Sequence, residues 1–378
     1  MRQVILLVVA VAAAYGHAAV SPNDMPGATD AERINAAVAR AAATGDEAVI
    51  PRRNARTGGD IWLIDRAILL PSNSRLVLDD CLVRLSPGTQ DNILRNAGAT
   101  LSPRQGNTNI TVIGRGNAVL SGGTGPHFDP PGDRCGWRTI GILLYNTRHF
   151  ELSGFTIEEP QCWGVSMENG CAYGRVGDIR FSNSNRIPNQ DGVDVRKGCH
   201  HILIENISGM TGDDTVAMTG LRLPIAGGGA GRPDRKPLQI GDDTPAESDD
   251  IHHITVRNIR TYVSGGHSTV RILNHDGIRV HDIAISDIYD ISEPGQVRAR
   301  NGILLGEKAE WNRYFTVSRN RFGETYNIFV TNVNSRAQQA VYVGTTLSNA
   351  VFRGIHALDK ETKLFTFDNH EVDEIVVE

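Results

Sequence analysis

Short runs of alternating apolar and polar residues make up most of this chain, and Gly, Asn, Asp and Pro separate them. A hydrophobic period of two is typical of strands that bury one face. The first such runs lie at 61–64, 67–70, 75–78, 81–85, 110–113 and 118–120. No convincing long helix lies between them, so the pattern predicts an all-β protein.

A pair of strands recurs in the second half of the chain. The first strands start near a His, Gly, Tyr or Asn at 149, 177, 200, 252, 277, 326 and 349. Second strands, mostly of the form small-Val-x-apolar, start at 164, 192, 215, 269, 302 and 340, with a last one at 365–367. Each unit is too small to close a core, but stacked units share one. The repeat predicts a parallel β-helix; a sandwich of hairpins is the alternative, although two-residue hairpin signals are scarce.

A single short helix is predicted before the strands. Thr29 and Glu32 match a capping box, in which each side chain accepts a backbone N–H of the other residue. An apolar stripe follows at Ile34, Ala37, Val38 and Ala41. Gly45 marks the end of the helix. Exposed strand edges are usually covered, so we expect this helix to cap the first end of the stack.

Composition and charge narrow the function classes. The chain has 378 residues, 43 acidic and 38 basic side chains and a net charge of −5, which gives no basic footprint for nucleic acid. Residues 1–18 have the layout of a secretory signal peptide, with Arg2, an apolar run at 4–15 and cleavage near Ala18 or Ala19. We therefore expect a secreted or periplasmic protein without membrane association after cleavage, whose β-helix domain spans residues 26–378.

The spacing of the second strands identifies an insertion. Val193 and Val216 are 23 residues apart, which fits one coil, whereas Val216 and Val270 are 54 apart. The excess falls in residues 221–250, which we interpret as a loop on one rim. Its acids are Asp242, Asp243, Glu247, Asp249 and Asp250. They lack the ligand spacing of a calcium loop, so solvated charge is favoured and no metal or cofactor is predicted.

The cysteines lie at 81, 135, 162, 171 and 199. No spacing is CxxC, so they do not indicate a metal site. An odd number cannot all pair. We expect mostly buried thiols, with Cys162 and Cys171 as the pair close enough in sequence to form one bridge.

Acidic residues gather at the turns before two neighbouring second strands. Aligned on their buried residues, these strands place Trp163, Asp191, Asp214, Ser268, Asn301 and Gln339 in one column, and Cys162, Gln190, Asp213, His267, Arg300 and Gln338 in the column before it. The outward positions between the two buried residues are Ser166, Asp194, Ala217, Arg271, Leu304 and Tyr342. Parallel strands lie about 4.8 Å apart, so acids at matching positions come within several ångströms of each other.

The clustering of these acids favours a catalytic role over a purely structural role in turns. A single Asp in a turn commonly bonds its own backbone. Like charges held a few ångströms apart repel and raise each other's pKa, so a purely structural site has little reason to collect Asp191, Asp194, Asp213 and Asp214.

The motifs resemble those of the polygalacturonases, the pectin hydrolases of glycoside hydrolase family 28. Asn189-Gln190-Asp191, Gly212-Asp213-Asp214 and Gly266-His267 follow the order of that family's Asn-Thr-Asp, Gly/Gln-Asp-Asp and Gly-His-Gly. The resemblance covers roughly residues 105–310 and implies a single-stranded, right-handed parallel β-helix of the pectin-lyase-like type. It also implies hydrolysis with inversion, in which Asp213 is the general acid, Asp191 and Asp214 activate water, and His267 tunes the acid.

The sequence departs from that family where the sugar carboxylate would bind. The family's Arg-Ile-Lys falls on residues 302–306, GILLG, which carry no basic side chain. Arg271 and Arg300 are the candidates for this subsite. The other predicted substrate-binding residues are Asp194, Asn189 and Trp163. We expect a pectin-like or related polysaccharide or oligosaccharide substrate. The absence of the basic pair makes polygalacturonate itself a less favoured substrate.

Two of these interpretations have alternatives. Trp163 would stack on a sugar face or, equally, pack within the protein. A β-helix polysaccharide lyase or epimerase would use a base such as Arg196, Lys197 or Arg271 and would release an unsaturated sugar that absorbs in the ultraviolet. A non-catalytic glycan-binding β-helix would keep its function after loss of Asp213.

Overall fold

The computed structural model describes residues 18–125, 140–220, 248–274, 277–306, 325–368 and 372–378. The predicted signal peptide up to residue 17, most of the predicted 221–250 loop and Cys135 lie outside the described residues. Within the described residues, no helix is long and apolar enough to span a bilayer.

The N-terminal part of the chain supplies the helix and the first coils. It contains β1 (Ala19–Val20), a 3₁₀ turn (Pro22–Asp24), α1 (Asp30–Thr44), β2 (Glu47–Pro51), β3 (Ile61–Ile64), β4 (Ile68–Leu70), β5 (Arg75–Asp79), β6 (Leu82–Leu85), β7 (Leu94–Asn96), a second 3₁₀ turn (Ala97–Thr100), β8 (Asn107–Arg115) and β9 (Val119–Ser121). The predicted runs at 61–64, 75–78 and 81–85 thus form β3, β5 and β6.

The remaining strands alternate between a long first strand and a short second strand in each coil. They are β10 (Ile142–Tyr145), β11 (Thr147–Ser153), β12 (Thr156–Glu158), β13 (Val165–Glu168), β14 (Ala172–Ser182), β15 (Val193–Arg196), β16 (His200–Thr211), β17 (Val216–Gly220), β18 (Ile251–Val263), β19 (Ser268–Asn274), β20 (Val280–Asp290), β21 (Asn301–Leu305), β22 (Thr325–Ser335), β23 (Gln339–Val343), β24 (Leu347–Ala357), β25 (Lys363–Phe367) and β26 (Val372–Val377).

These strands form a right-handed parallel β-helix, which confirms the predicted fold class. A long sheet of 16 strands contains the first strands in the order β1-β2-β5-β8-β11-β14-β16-β18-β20-β22-β24-β26, with β3, β6, β9 and β12 attached beside it. A short sheet of ten strands has the order β25-β23-β21-β19-β17-β15-β13-β10-β7-β4. From β14 onward each coil therefore places one strand in each sheet, whereas the earlier coils add a second, shorter strand to the long sheet.

The register of the short sheet confirms the alignment predicted from sequence. Val193 pairs with Val216, and Val216 with Val270, so β15, β17 and β19 are direct neighbours. The longer spacing between Val216 and Val270 skips no rung. Outward Asp194, Ala217 and Arg271 are likewise in register.

The core lies between the two sheets. The inward residues of the short sheet are 0% exposed, among them Val193, Val195, Val216, Met218, Val270 and Ile272. Burying an aliphatic side chain of this size contributes about 1.5–3 kcal/mol. Because each rung repeats this burial, the core fixes the height and the facing of every outward side chain on the short sheet.

The helix α1 caps the first coil as predicted. Thr29 and Glu32 form the reciprocal capping box, and Gly45 ends the helix in the left-handed conformation at φ 77°. The stripe residues Ile34, Ala37, Val38 and Ala41 are all at most 1% exposed. They join the same hydrophobic core as the strands.

The long first strands bend at residues in the left-handed conformation. One such column contains Asn109, His149, Tyr173, His201, His253, Asp282, Asn327 and Asn349; a second contains Asp178, Asn206, Asn258, Asp287 and Asn332. Asparagine and aspartate adopt positive φ at lower cost than most residues. Their side chains also bond from rung to rung, as when Asn258 Nδ2 donates to Asn206 Oδ1 at 2.8 Å. These columns explain why His, Asn and Asp recur at fixed places in the first strands.

Cysteine thiols occur in the interior of the β-helix. Cys81, Cys171 and Cys199 are buried thiols, as expected. Since Cys171 is one of them, the alternative Cys162–Cys171 bridge is not formed. Cys171 Sγ donates instead to the carbonyl oxygens of Leu144 and Glu168, both at 3.4 Å.

Candidate active site

The turns before β15 and β17, together with the first residues of β15, bring four carboxyl groups together. We call Asp191, Asp194, Asp213 and Asp214 the acid cluster. The carbonyl oxygen of Gln190 accepts the N–H groups of Gly212 and Asp213 at 3.0 and 3.2 Å. Gly192 N–H donates to the carbonyl oxygen of Asp214 at 2.9 Å. These backbone bonds hold the two acid-bearing turns against each other.

Asp213 contacts His267 on the next rung. The two residues occupy matching positions before β17 and β19, and the distance from His267 Nδ1 to Asp213 Oδ1 is 2.9 Å. The His267 side chain is 43% exposed, so the pair lies where the acid cluster meets solvent. The hydrogen bond to Asp213 raises the pKa of His267, although partial burial opposes this. The pair therefore holds a proton in contact with solvent at mildly acidic pH.

Asp214 is buried and bound by two donors. Arg271 Nη1 lies 3.0 Å from Asp214 Oδ2, and the backbone N–H of Ser268 donates to Asp214 Oδ1 at 2.7 Å. Burial raises the pKa of Asp214, while Arg271 counteracts the rise. Arg271 was predicted to bind substrate; in this structure its guanidinium supports the carboxylate of Asp214.

Asp191 and Asp194 are the most strongly perturbed members of the acid cluster. They are 5% and 1% exposed, and Asp191 Oδ1 and Asp194 Oδ2 have no hydrogen-bond partner within the described part of the chain. Burial raises the pKa of Asp191 well above its ordinary value, and the carboxyl groups of Asp213, Asp194 and Asp214 raise it further. Burial likewise raises the pKa of Asp194 well above its ordinary value. Asp191 and Asp194 therefore retain protons at a pH where isolated carboxyl groups are ionised.

We expect Asp194→Asn to stabilise the protein at pH 7. A folded-state pKa above the unfolded value makes Asp194 cost stability as pH rises from about 4 upward, because the carboxyl group then ionises freely in the unfolded state but not in its buried site. Removing that charge should raise the free energy of unfolding by about 1–3 kcal/mol at pH 7. Urea denaturation at several pH values would measure this gain, which should shrink towards pH 4.

Asp250→Asn is a control of opposite sign for that experiment. Arg279 Nε donates to Asp250 Oδ2 at 2.8 Å, and the backbone N–H and side chain of Arg279 hold the pKa of Asp250 below its ordinary value despite partial burial. Its stabilising effect is present above the unfolded pKa and is lost as pH falls. A gain in Asp194→Asn that does not depend on pH would contradict the electrostatic explanation.

A chain of buried hydroxyl groups supports the Asp213 turn, and the sequence analysis missed it. Thr211 Oγ1 donates to the carbonyl oxygen of Asp213 at 2.9 Å. The Thr215 hydroxyl lies 3.1 Å from that of Thr211 and 2.9 Å from that of Thr261. All three threonines are 0% exposed. Threonine at inward positions of otherwise apolar strands was the available signal.

Trp163 lies on the rung before Asp191 and is 3% exposed. It packs with Ile140, Leu143 and Cys162, and the guanidinium of Arg196 lies 4.9 Å from the ring centroid. In this structure the packing alternative describes Trp163 better than an open sugar platform. Burial also raises the pKa of the nearby Glu168, another acid that the sequence analysis did not single out.

A groove of about 820 Å³ extends along the later rungs. It is lined by Arg298, Arg300, Asn301, Leu304, Gln338, Gln339, Tyr342, Glu361, Lys363, Thr366 and Asp368. Arg300 is exposed there, and its backbone N–H donates to the His267 carbonyl oxygen at 2.8 Å. Leu304 pairs with Arg271, so the groove begins one rung beyond Arg271 and two rungs beyond the acid-bearing turn before β17. The groove thus contains three cationic side chains, Arg298, Arg300 and Lys363, and two acidic ones, Glu361 and Asp368.

Asn189, the first residue of its motif, is half-buried and left-handed at φ 60°. It precedes Gln190, whose side chain donates to the Pro160 carbonyl oxygen at 2.8 Å. Asn189 therefore belongs to the turn that positions Asp191, and a substrate contact stays a prediction.

Comparison with known proteins finds similarity to solved β-helix structures only. No protein-family model matches it, and no curated protein matches it. The polygalacturonase from Erwinia carotovora ssp. carotovora is 12% identical, with a TM-score of 0.57 over 94% of this chain and 96% of that chain. An exopolygalacturonase from Thermotoga maritima is 13% identical, with a TM-score of 0.52 over 96% of this chain and 92% of that chain.

A phage protein is similar to the same extent. A tailspike protein of E. coli bacteriophage HK620 is 13% identical, with a TM-score of 0.58 over 95% of this chain and 67% of that chain. At such identities the comparisons describe the fold alone. The chain has a polygalacturonase-like, pectin-lyase-like β-helix fold.

Proposed function

We propose that this protein is an exported glycoside hydrolase that cleaves a pectin-like or related polysaccharide or oligosaccharide with inversion. The acid cluster carries the proposal, since it combines a solvent-facing Asp213–His267 pair with an Asp214 carboxylate held by two donors. Glycosidases need one carboxyl group that is protonated and another that is ionised. The solved polygalacturonases with this fold add support at the level of architecture.

In this mechanism Asp213 protonates the glycosidic oxygen of the leaving group. The pair with His267 supplies a proton in contact with solvent and restores it after each turnover. Asp214 and Asp191 hold the attacking water, and Asp214 takes its proton while Arg271 and the Ser268 N–H stabilise the carboxylate. Water attack opposite the leaving group gives an inverted product.

The groove beyond Arg271 supplies the substrate-binding part of the proposal. Arg300 and Lys363 line a groove of about 820 Å³, together with Arg298, whose guanidinium donates to the carbonyl oxygens of Arg336 and Ala337. These cations favour a substrate with carboxylate or other anionic groups. They compensate for the basic residues that are absent at 302–306.

The lyase alternative has less support. Arg196 Nε lies 3.9 Å from Glu168 Oε2, and Lys197 Nζ lies 3.6 Å from Asp249 Oδ1. Both side chains are at most 10% exposed. Cations in such pairs are poor bases, because loss of a proton would leave a buried carboxylate without its partner.

A product assay tests the proposed function. The mature protein would be incubated with a panel of pectic and other polysaccharides while reducing ends and ultraviolet absorbance are followed together. Reducing ends without absorbance, with the inverted anomer appearing first by NMR, are expected. Absorbance would replace the hydrolase with a lyase, and retained glycan binding without either signal would indicate a binding protein.

We expect activity to fall as pH rises through the raised pKa of His267. The protonated pair is present below that pKa, which lies above the ordinary imidazole value of 6.5, and is lost above it. In a profile of kcat/KM from about pH 4 to pH 9, His267→Asn should remove or shift this alkaline limb. His356→Asn, a change at an exposed histidine of β24, is the control. An unchanged limb in His267→Asn would contradict the assigned role.

A further inference from the structure

Two parallel rows of aromatic rings cross the long sheet between β11 and β22. The inner row contains His200, His252, His281 and Tyr326, which are register partners on β16, β18, β20 and β22. The outer row contains His149, Tyr173, His201 and His253 and continues to Asp282. Both rows lie beyond the C-terminal ends of the short-sheet strands, whereas the acid cluster lies before their N-terminal ends.

The two rows bring imidazole nitrogens into contact. His200 Nδ1 lies 2.8 Å from His201 Nδ1, and His252 Nδ1 lies 2.8 Å from His253 Nδ1. Along the rows the rings stack, with centroids 4.9 Å apart for His200 and His252 and 4.5 Å apart for His201 and His253. Four imidazoles on two strands therefore face one another.

We infer that His201, His252 and His253 form a binding site for a late first-row divalent cation such as Zn²⁺. Each offers one nitrogen, and these atoms all lie within 4.8 Å of one another. Zinc binds imidazole nitrogen at about 2.0–2.1 Å, which places tetrahedral ligand atoms about 3.3 Å apart. Rotation of the exposed rings of His201 and His253 would shorten the nitrogen–nitrogen distances to this value.

The surroundings complete a metal site. Asp282 Oδ2 lies 3.9 Å from His253 Nδ1 and 2.7 Å from His281 Nδ1. Asp282 thus holds His281, which stacks on the ligand His252, and adds negative charge near His253. Three imidazoles with an exposed face leave the fourth position to water. The donor set is all nitrogen, which suits zinc, copper and nickel rather than calcium or magnesium.

A second group, Asp213, Asp214 and His267, also has ligand atoms within 4.8 Å. Arg271 lies 3.0 Å from Asp214 and disfavours a cation there. His201 lies on β16 and the other two ligands lie on β18, which are paired neighbours from successive coils. A cation bound by all three would connect these coils and stabilise the folded state by mass action.

Zinc titration of the protein, prepared without a polyhistidine tag, tests the site. Calorimetry at about pH 7.5 should give one Zn²⁺ per chain, and zinc should raise the Tm. In the double variant His201→Asn and His253→Asn we expect affinity to fall at least about tenfold and the zinc-dependent Tm shift to vanish. Asparagine suits these left-handed positions, because Asn327 and Asn349 occupy the same column.

Two further variants locate the cation. His149→Asn changes an exposed left-handed histidine of the same row that stacks on Tyr173 at 5.3 Å, and it should bind zinc as the wild type does. Asp213→Asn should also keep the affinity. Zinc binding that survives the double variant or is lost in Asp213→Asn would overturn the assignment, as would absence of binding in the wild type. If the double variant is unfolded without metal, His253→Asn alone carries the same test.

Discussion

Replacing Asp213 by Asn should lower kcat for glycan hydrolysis by about 10²–10⁴-fold, the usual contribution of a positioned general acid. Asn keeps the shape of the side chain and can still accept the Asp214 N–H, which Asp213 Oδ1 accepts at 2.9 Å. It cannot give a proton to the glycosidic oxygen. Initial rates of reducing-end release at saturating substrate measure the loss, and KM should change little.

A matched control separates this loss from a general effect of removing a carboxylate. Asp79→Asn removes an exposed acid at the end of β5, on a coil distant in sequence from the acid cluster, and should leave kcat unchanged. If Asp213→Asn keeps more than about a tenth of the activity, the proton comes from another carboxyl group. Asp191, whose pKa burial raises well above its ordinary value, would then be the first candidate.

Phe181→Ala should destabilise the protein by about 3–5 kcal/mol and inactivate it. The ring is 0% exposed and lies under the turns that lead into β13 and β15. A Cβ on Gly164 would lie 2.5 Å from this ring, and a Cβ on Gly192 would lie 3.2 Å from it. Phe181 thus fills the space that those two glycines leave, and Gly192 is the residue after Asp191.

Urea denaturation and kcat of the folded fraction would measure both effects of Phe181→Ala. Phe329→Ala is the control, since Phe329 is also on a long-sheet strand but is 44% exposed. It should cost less than about 1 kcal/mol. If both variants lost similar amounts of stability and activity, the proposed role of Phe181 in supporting the acid-bearing turns would be contradicted.

The fold could be predicted because each coil repeats the same inward apolar positions. Val193, Val216 and Val270 revealed the register even across the longer spacing, and the register placed Asp213 next to His267. Alternation of apolar and polar residues reports which face a side chain occupies. It therefore located the columns of the short sheet correctly.

Depth and side-chain partners could not be predicted in this way. Outward residues of the short sheet lie in a cleft, so Asp194 and Trp163 are nearly as buried as core residues. The pairing of Arg271 with Asp214 depends on a side-chain conformation that spacing does not specify. The two histidine rows were visible as His-His pairs at 200 and 252, but the left-handed bend that turns both rings to one surface was not.

The number of residues between β17 and β18 is independent of the spacing between the carboxyl groups. Residues 221–250 separate β17 from β18 in the sequence, yet β18 pairs with β16 as its direct neighbour over ten residue pairs from His200–His252 to Thr211–Val263. Chain length at this junction therefore has no influence on the spacing of the carboxyl groups. The segment can therefore change in length or sequence while the pairing that sets the positions of Asp213 and His267 stays in place.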